Sequence, residues 1–178
     1  MRRCKKCERL MERSTLPEHT EDLGGVVVKV FNAVQVLRCP NCGDEVIAIP
    51  DMDGLARATV IARAMNPVRF SGREVKFFRR VLDMSQADFA AAMDLAPESV
   101  SRWENDARGV GGACEKLMRH NVCALLHREA PGMPYDPAVI AHMKLTSLPE
   151  GGTLHPIEMV RVLVQGESPH TDGWAKAA

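Results

Sequence analysis

Six cysteines are the residues best able to do chemistry in this 178-residue sequence, and four of them come as two C-x2-C pairs. Cys4 and Cys7 sit in RCKKCER, Cys39 and Cys42 in RCPNCGDE, with 31 residues between the pairs. Two such pairs make one tetrahedral donor set. Zinc favours four thiolates at about 2.3 Å, and a tight turn lets both sulfurs of a pair face one ion while backbone N–H groups bond to them. Gly43 suits that turn because it takes positive φ without a Cβ clash; Glu8 stands at the matching place in the first pair. A redox C-x-x-C normally sits singly between a strand and a helix of a βαβ unit, a pattern missing here, and a catalytic zinc keeps an open position and uses His or a carboxylate. The spacing therefore favours a structural zinc on Cys4, Cys7, Cys39 and Cys42 over a redox pair or a catalytic metal. His19 is an alternative ligand, although a lone loop histidine is more often solvated.

The elements that must bring the pairs together are β-rich. VVVKVF and AVQVLR flank Asn32 and predict a hairpin returning the second pair to the first, and EVIAI, Glu45 to Ile49, predicts a third strand. Residues 1–50 are thus expected to form a small zinc-ribbon-like domain. The composition, 46% apolar and 26% charged, is that of a globular protein, and the length suits one domain or two small ones. No apolar run approaches the ~20 residues of a membrane span, and the start MRRCKKCER has no signal-peptide core. A cytoplasmic location without membrane association is expected, where reduced thiols suit a metal better than disulfides. Net charge is zero, but residues 1–13 hold six basic side chains against Glu8 and Glu12, which makes either a local basic patch or a solvated terminus.

After Pro50 the periodicity becomes helical. DMDGLARATVIARAMNP predicts a helix capped near Asp51 or Asp53 and ended before Pro67, read as a linker over residues 51–67. SGRE, Ser71 to Glu74, is a capping-box signature opening a second helix, with Val75, Phe78, Val81 and Leu82 on one side and Arg73, Lys76 and Arg80 on the other. SQADFAAAM opens a third at Ser85 and buries Phe89, Ala90 and Met93; Asp94 to Ala96 make a turn. PESVSRWEND then starts on Pro97, turns Val100 and Trp103 inward and leaves Glu98, Ser99, Ser101 and Arg102 outward. Two short helices joined this way predict a helix-turn-helix whose second helix is sized for a major groove.

SQADFAAAMDLAPESVSRWE resembles the Xre/Cro repressor class. Preceded by two cysteine pairs, it is similar to the MqsA family of antitoxins, the YgiT-type zinc-finger and helix-turn-helix proteins, over residues 1 to about 127. The resemblance implies an α+β chain: a zinc domain (1–50), a linker helix (51–67), an all-α DNA-binding domain (68–130) and a partly disordered extension (131–178). It implies a repressor of its own operon that binds a toxin through the zinc domain and reads a palindromic operator in double-stranded DNA as a homodimer. Three positions depart from the family pattern. Asp94 and Asp106 stand where the family has Gly, and Glu98 stands where it has an Asn that helps read bases, so the operator sequence does not carry over.

Within such a module Gln86, Ser99 and Ser101 are candidate phosphate contacts that fix register. Arg102 is the candidate for guanine O6/N7, with a salt bridge to Glu98 as its alternative, and Glu98 can accept from a cytosine amino group. Arg73, Lys76 and Arg80 are further candidate phosphate contacts. Across Val68 to Val110 seven basic residues face seven acidic ones, so one copy should bind weakly and two half-sites roughly 34 Å apart would compensate. The helix from Ala113 to Arg128 carries Leu117, Met118, Val122, Leu125 and Leu126, enough to finish a core and to pair chains; Cys114 and Cys123 read as ordinary buried or boundary thiols. In the tail a short helix is expected at Asp136-Pro137, IEMVRVLV is a strand or helix, and residues from Gly166 onward are expected to be disordered. The alternative to an antitoxin is a solitary zinc-finger regulator without a toxin. A thiol- or zinc-dependent enzyme is least favoured, since no HExxH, phosphate loop or nucleophile motif is present.

Overall fold

The computed structural model describes residues 2–149, 151–164 and 171–177. The chain is mixed α+β, in the order β1 (Glu12–Thr15), β2 (Glu18–Leu23), β3 (Val26–Phe31), β4 (Gln35–Arg38), β5 (Glu45–Ala48), α1 (Met52–Ala64), α2 (Gly72–Val81), α3 (Gln86–Ala91), α4 (Pro97–Glu104), α5 (Gly112–Leu126), α6 (Pro137–His142), β6 (Ile157–Val164) and β7 (Thr171–Lys176). The strands form two sheets, β1-β4-β5 and β2-β3-β6-β7. Among the described residues no helix is long and apolar enough to cross a membrane.

The hairpin expected between VVVKVF and AVQVLR does not form. β3 pairs instead with β2 through Leu23↔Val26, across a two-residue turn in which Gly24 and Gly25 both take positive φ. β4 pairs with β1 and β5 in the other sheet. The reason lies in what each strand must bury. Val26, Val28 and Val30 alternate inward to the main core, whereas Leu37 of β4 packs with the cysteines. Asn32, at φ 52, turns the chain from one sheet to the other, and Leu16 N–H donating to the Val34 carbonyl at 2.8 Å ties the crossing. Residues 1–50 are therefore divided between two sheets and are not one separate ribbon.

α1 is likewise no linker. Leu55, Ala58, Val60, Ile61 and Ala64 are fully buried, and the helix packs on α2, α5, β3, β6 and β7. Its N-terminus is capped by Asp51, whose carboxylate accepts from Gly54 N–H at 3.0 Å. The C-terminal extension is also part of the fold. β6 lies parallel to β3 (Val28↔Ile157) and antiparallel to β7, and Trp174 is 1% exposed, its indole donating to the Asp51 carbonyl at 3.1 Å. Disorder expected from Gly166 onward is thus overturned for 171–177, because a buried Trp174 and a full strand register anchor them. The stretch 166–170 lies outside the described residues. The backbone approaches so closely here that a Cβ on Gly132 would sit 2.5 Å from the Trp174 carbonyl oxygen.

Two buried ion pairs hold the entry to α2. Arg63, 1% exposed, donates to Glu74 at 2.5 Å and to the Val68 and Arg69 carbonyls, each at 2.9 Å. Arg119, fully buried, donates to Glu115 and to the Ala64 and Val68 carbonyls, each at 2.7 Å, and also to the Asn66 carbonyl. The carbonyls of a turn that no strand or helix satisfies thus find guanidinium donors. Phe70 lies against both guanidinium groups, with centroid distances of 4.9 and 4.0 Å. Burial lowers the pKa of Arg119, yet an arginine starts high enough to stay charged.

Candidate metal centre and nucleic-acid interface

Cys4, Cys7, Cys39 and Cys42 converge, their four sulfurs lying within 4.8 Å of one another. They could hold one metal ion. Four sulfurs placed tetrahedrally at about 2.3 Å from an ion are separated by about 3.8 Å. The sulfur separations of 3.5 Å (Cys4–Cys42), 3.3 Å (Cys7–Cys39) and 3.6 Å (Cys7–Cys42) fit that scale.

The two C-x2-C segments are built alike. Cys4 N–H donates to the Arg9 carbonyl and Cys39 N–H to the Asp44 carbonyl, both at 2.8 Å; Glu8 and Gly43 N–H groups return to the Cys4 and Cys39 carbonyls, both at 3.0 Å. This closed turn needs a left-handed residue after the second cysteine. Gly43 supplies it at φ 72, as its sequence position suggests, and Glu8 adopts the same conformation at φ 60. Lys6 and Asp44 link the two turns at 2.7 Å. The backbone N–H of Arg9, with hydrogen bonds from Cys39 and Asn41, pulls the Cys7 thiol down to about 6. The Asp44 N–H also lowers Cys42, but Cys4, burial, Cys39 and Cys7 outweigh it and push that thiol up to about 12. Four crowded sulfurs cannot all ionise without a cation among them. His19 lies elsewhere, 3.2 Å from Glu21 on β2.

The second group of candidate residues lies on α3 and α4, which pack against each other. Ser71–Glu74 and Ser85–Asp88 both make reciprocal capping boxes, and Pro97 opens α4. Asp94 takes φ 53 between α3 and α4, and Asp106 takes φ 54 after α4, so aspartates supply the left-handed conformations. Val100 and Trp103 are buried; Glu98 and Arg102 are exposed, with Ser99 and Ser101 half-buried. Among the described residues Arg102 makes no ion pair, so the alternative bridge to Glu98 is absent there.

The remaining candidates divide. Lys76 and Arg80 are exposed, whereas Arg73 is 3.3 Å from Asp22 of β2. Gln86 is turned inward, its amide donating to Glu104 at 2.8 Å. Glu104 also takes two bonds from Arg79, at 2.6 and 3.2 Å, and its burial tendency to rise is outweighed by Arg79 and Gln86, which hold its carboxyl below the usual range. Sequence reasoning missed this anchor, since nothing in the spacing of Arg79 and Glu104 marks a pair. It also missed Arg108, which lines a cavity of about 210 Å³ with Arg102, Ser99 and Cys114. A basic residue just beyond the WEND helix end was the available signal. Cys114 is half-buried and Cys123 fully buried, its thiol pushed up to about 12 by burial.

No protein-family model, no curated protein and no solved structure matches the chain.

Proposed function

We propose that this chain is a sequence-specific DNA-binding transcriptional regulator in which α3 and α4 act as a helix-turn-helix and a structural zinc sits on Cys4, Cys7, Cys39 and Cys42. The observation that carries the reading is α4 itself: Val100 and Trp103 lock one face into the core while Arg102 and Glu98 stand free on the other. Arg102 reads guanine, Glu98 accepts from cytosine, and Ser99, Ser101, Lys76 and Arg80 set register on phosphates. Gln86 reaches a phosphate only with the amide hydrogen that Glu104 leaves unused. Zinc is preferred for the metal because four thiolates in a closed tetrahedral set suit a d10 ion without an open position.

Two copies are required for tight binding, because α2 to α4 bring no net positive charge. Leu117 and Leu125 on α5, 45% and 49% exposed, offer apolar surface for such pairing. The resemblance to the MqsA-like antitoxins supports a further step: autorepression combined with capture of a toxin by the metal-bearing unit. The solitary regulator differs only in lacking that partner, and co-purification from the native host separates the two. Arg102→Ala tests the DNA reading. Against an operator selected from random duplexes, in a salt-controlled shift assay, affinity should fall by about 1–3 kcal/mol, with fold stability changed by less than about 0.5 kcal/mol. Unchanged affinity removes Arg102 from base reading, and failure to select any operator removes the function.

A further inference from the structure

A cavity of about 320 Å³ opens where β3, the start of α2 and the segment before β6 meet. It is within the size range of small-molecule sites, which begin at about 300 Å³. Its lining includes the apolar Val27, Leu154 and Ile157, the acidic residues Asp22 and Glu74, and Arg69, Arg73 and His155. Neither of these arginines is committed as Arg63 is. Arg69 uses its Nη1 on the Val110 carbonyl at 3.1 Å and lies 3.5 Å from Glu115; among the described residues its Nε and Nη2 have no acceptor. Arg73, 70% exposed, makes one side-chain bond, to Asp22 at 3.3 Å. Such a screened surface pair gives way readily to a better acceptor. A guanidinium with free forks beside apolar side chains recognises a carboxylate or phosphate monoester on an apolar body.

One of these side chains, Arg69, also reaches the segment that follows α4. Arg69 holds Val110, in the segment joining α4 to α5, and Gly72, next to the cavity, donates its N–H to Asp106 at 2.7 Å just beyond α4. An anion drawing Arg69 inward would release the Val110 carbonyl and loosen the C-terminal end of α4. We propose that this cavity is an effector site for a small organic anion with an apolar body, gripped by Arg69 and Arg73 and coupled through Val110 to α4. The coupling rests on the DNA-binding reading; occupancy of the cavity does not.

Calorimetry on the full chain, with benzoate, phenyl phosphate and the uncharged benzyl alcohol as probes, tests occupancy without DNA. An anionic probe should bind saturably, one per chain and at least tenfold more tightly than benzyl alcohol. Arg73→Gln, at an exposed position that leaves the fold intact, should weaken it tenfold or more, and Arg69→Gln likewise. No saturable binding of either anion, equal binding of the alcohol, or unchanged binding to Arg73→Gln overturns the site. At saturation the bound anion should weaken operator affinity at least threefold; arginine-dependent binding with no change in affinity overturns the effector role. If no operator is bound at all, the DNA reading fails while the calorimetry still decides the cavity.

Discussion

The cysteine-bearing turns and the helical body are stabilised by different physics. The first has a core of Cys4, Met11, Leu37 and Cys39, with Cys7 and Val46 at its edge; the second draws buried side chains from all six helices and from β3, β6 and β7. Burying Met11 and Leu37 is worth about 1.5–3 kcal/mol each, less than the ordering of the surrounding turns costs. The proposed zinc on four thiolates would supply about 10–16 kcal/mol. If the four cysteines hold an ion, one region depends on it for its fold and the other on apolar area. The β1-β4-β5 sheet should therefore melt alone.

The largest expected effect breaks that comparison directly. Cys39→Ser should abolish metal binding and unfold residues 1–16 and 35–50, while the helical body keeps its cooperative transition. Metal analysis and limited proteolysis check it: one equivalent of metal in the wild type, none in the variant, and cuts confined to those segments. A strong chelator should reproduce the pattern. Cooperative loss of the whole chain would mean that the two regions share one stability.

Within the body, the buried ion pairs should be the most sensitive point. Glu115→Gln leaves the fully buried Arg119 without its carboxylate, and removing one partner of such a pair costs about 3–5 kcal/mol. At roughly 2–4 °C per kcal/mol for a chain of this size, Tm should fall by about 10 °C, with metal content unchanged. A smaller, pH-linked effect follows from Glu104. Its folded pKa is depressed, so its contribution is present above the unfolded value of about 4.3 and is lost as pH falls through the folded one. Glu104→Gln should cost about 1.5–3 kcal/mol at pH 7, from the charged hydrogen bonds to Arg79 and Gln86. Thermal melts from pH 7 down to 3 should show the gap between variant and wild type closing below about pH 4.3.

What could be read from the sequence was mostly local. The C-x2-C pairs, both capping boxes, Pro97 and the inward positions of Phe89, Val100 and Trp103 each follow from spacing within one turn or one helix face. What was missed depends on distant partners. VVVKVF gives no sign that its neighbour is IEMVRVLV, more than a hundred residues away, because parallel pairing leaves no turn signature. Trp174 in its polar tail resembles a disordered end until the gap it fills beside Asp51 is known. Nothing in the local spacing of Arg63 and Arg119 marks them as buried, and only their shared turn of carbonyls explains why both are.

The smallest expected effects sharpen the contrast at the level of the backbone. Glu8, Asp94 and Asp106 all hold left-handed conformations, which cost an L-residue roughly 1–2 kcal/mol, an amount Asp reduces somewhat and which glycine avoids at about 0.5–1 kcal/mol of extra chain entropy. Glu8→Gly should gain up to about 1 kcal/mol, confined to the cysteine-bearing turns and, with the proposed zinc bound, read as slower metal transfer to a chelator with Tm of the body unchanged. Asp94→Gly should gain a similar or smaller amount, read instead in Tm. Asp106→Gly should do the opposite, because the carboxylate that accepts from Gly72 N–H at 2.7 Å is lost and a donor at the start of α2 goes unpaired. A rise in Tm for Asp106→Gly would show that conformational strain outweighs that hydrogen bond. The aspartate would then be held there by something other than stability.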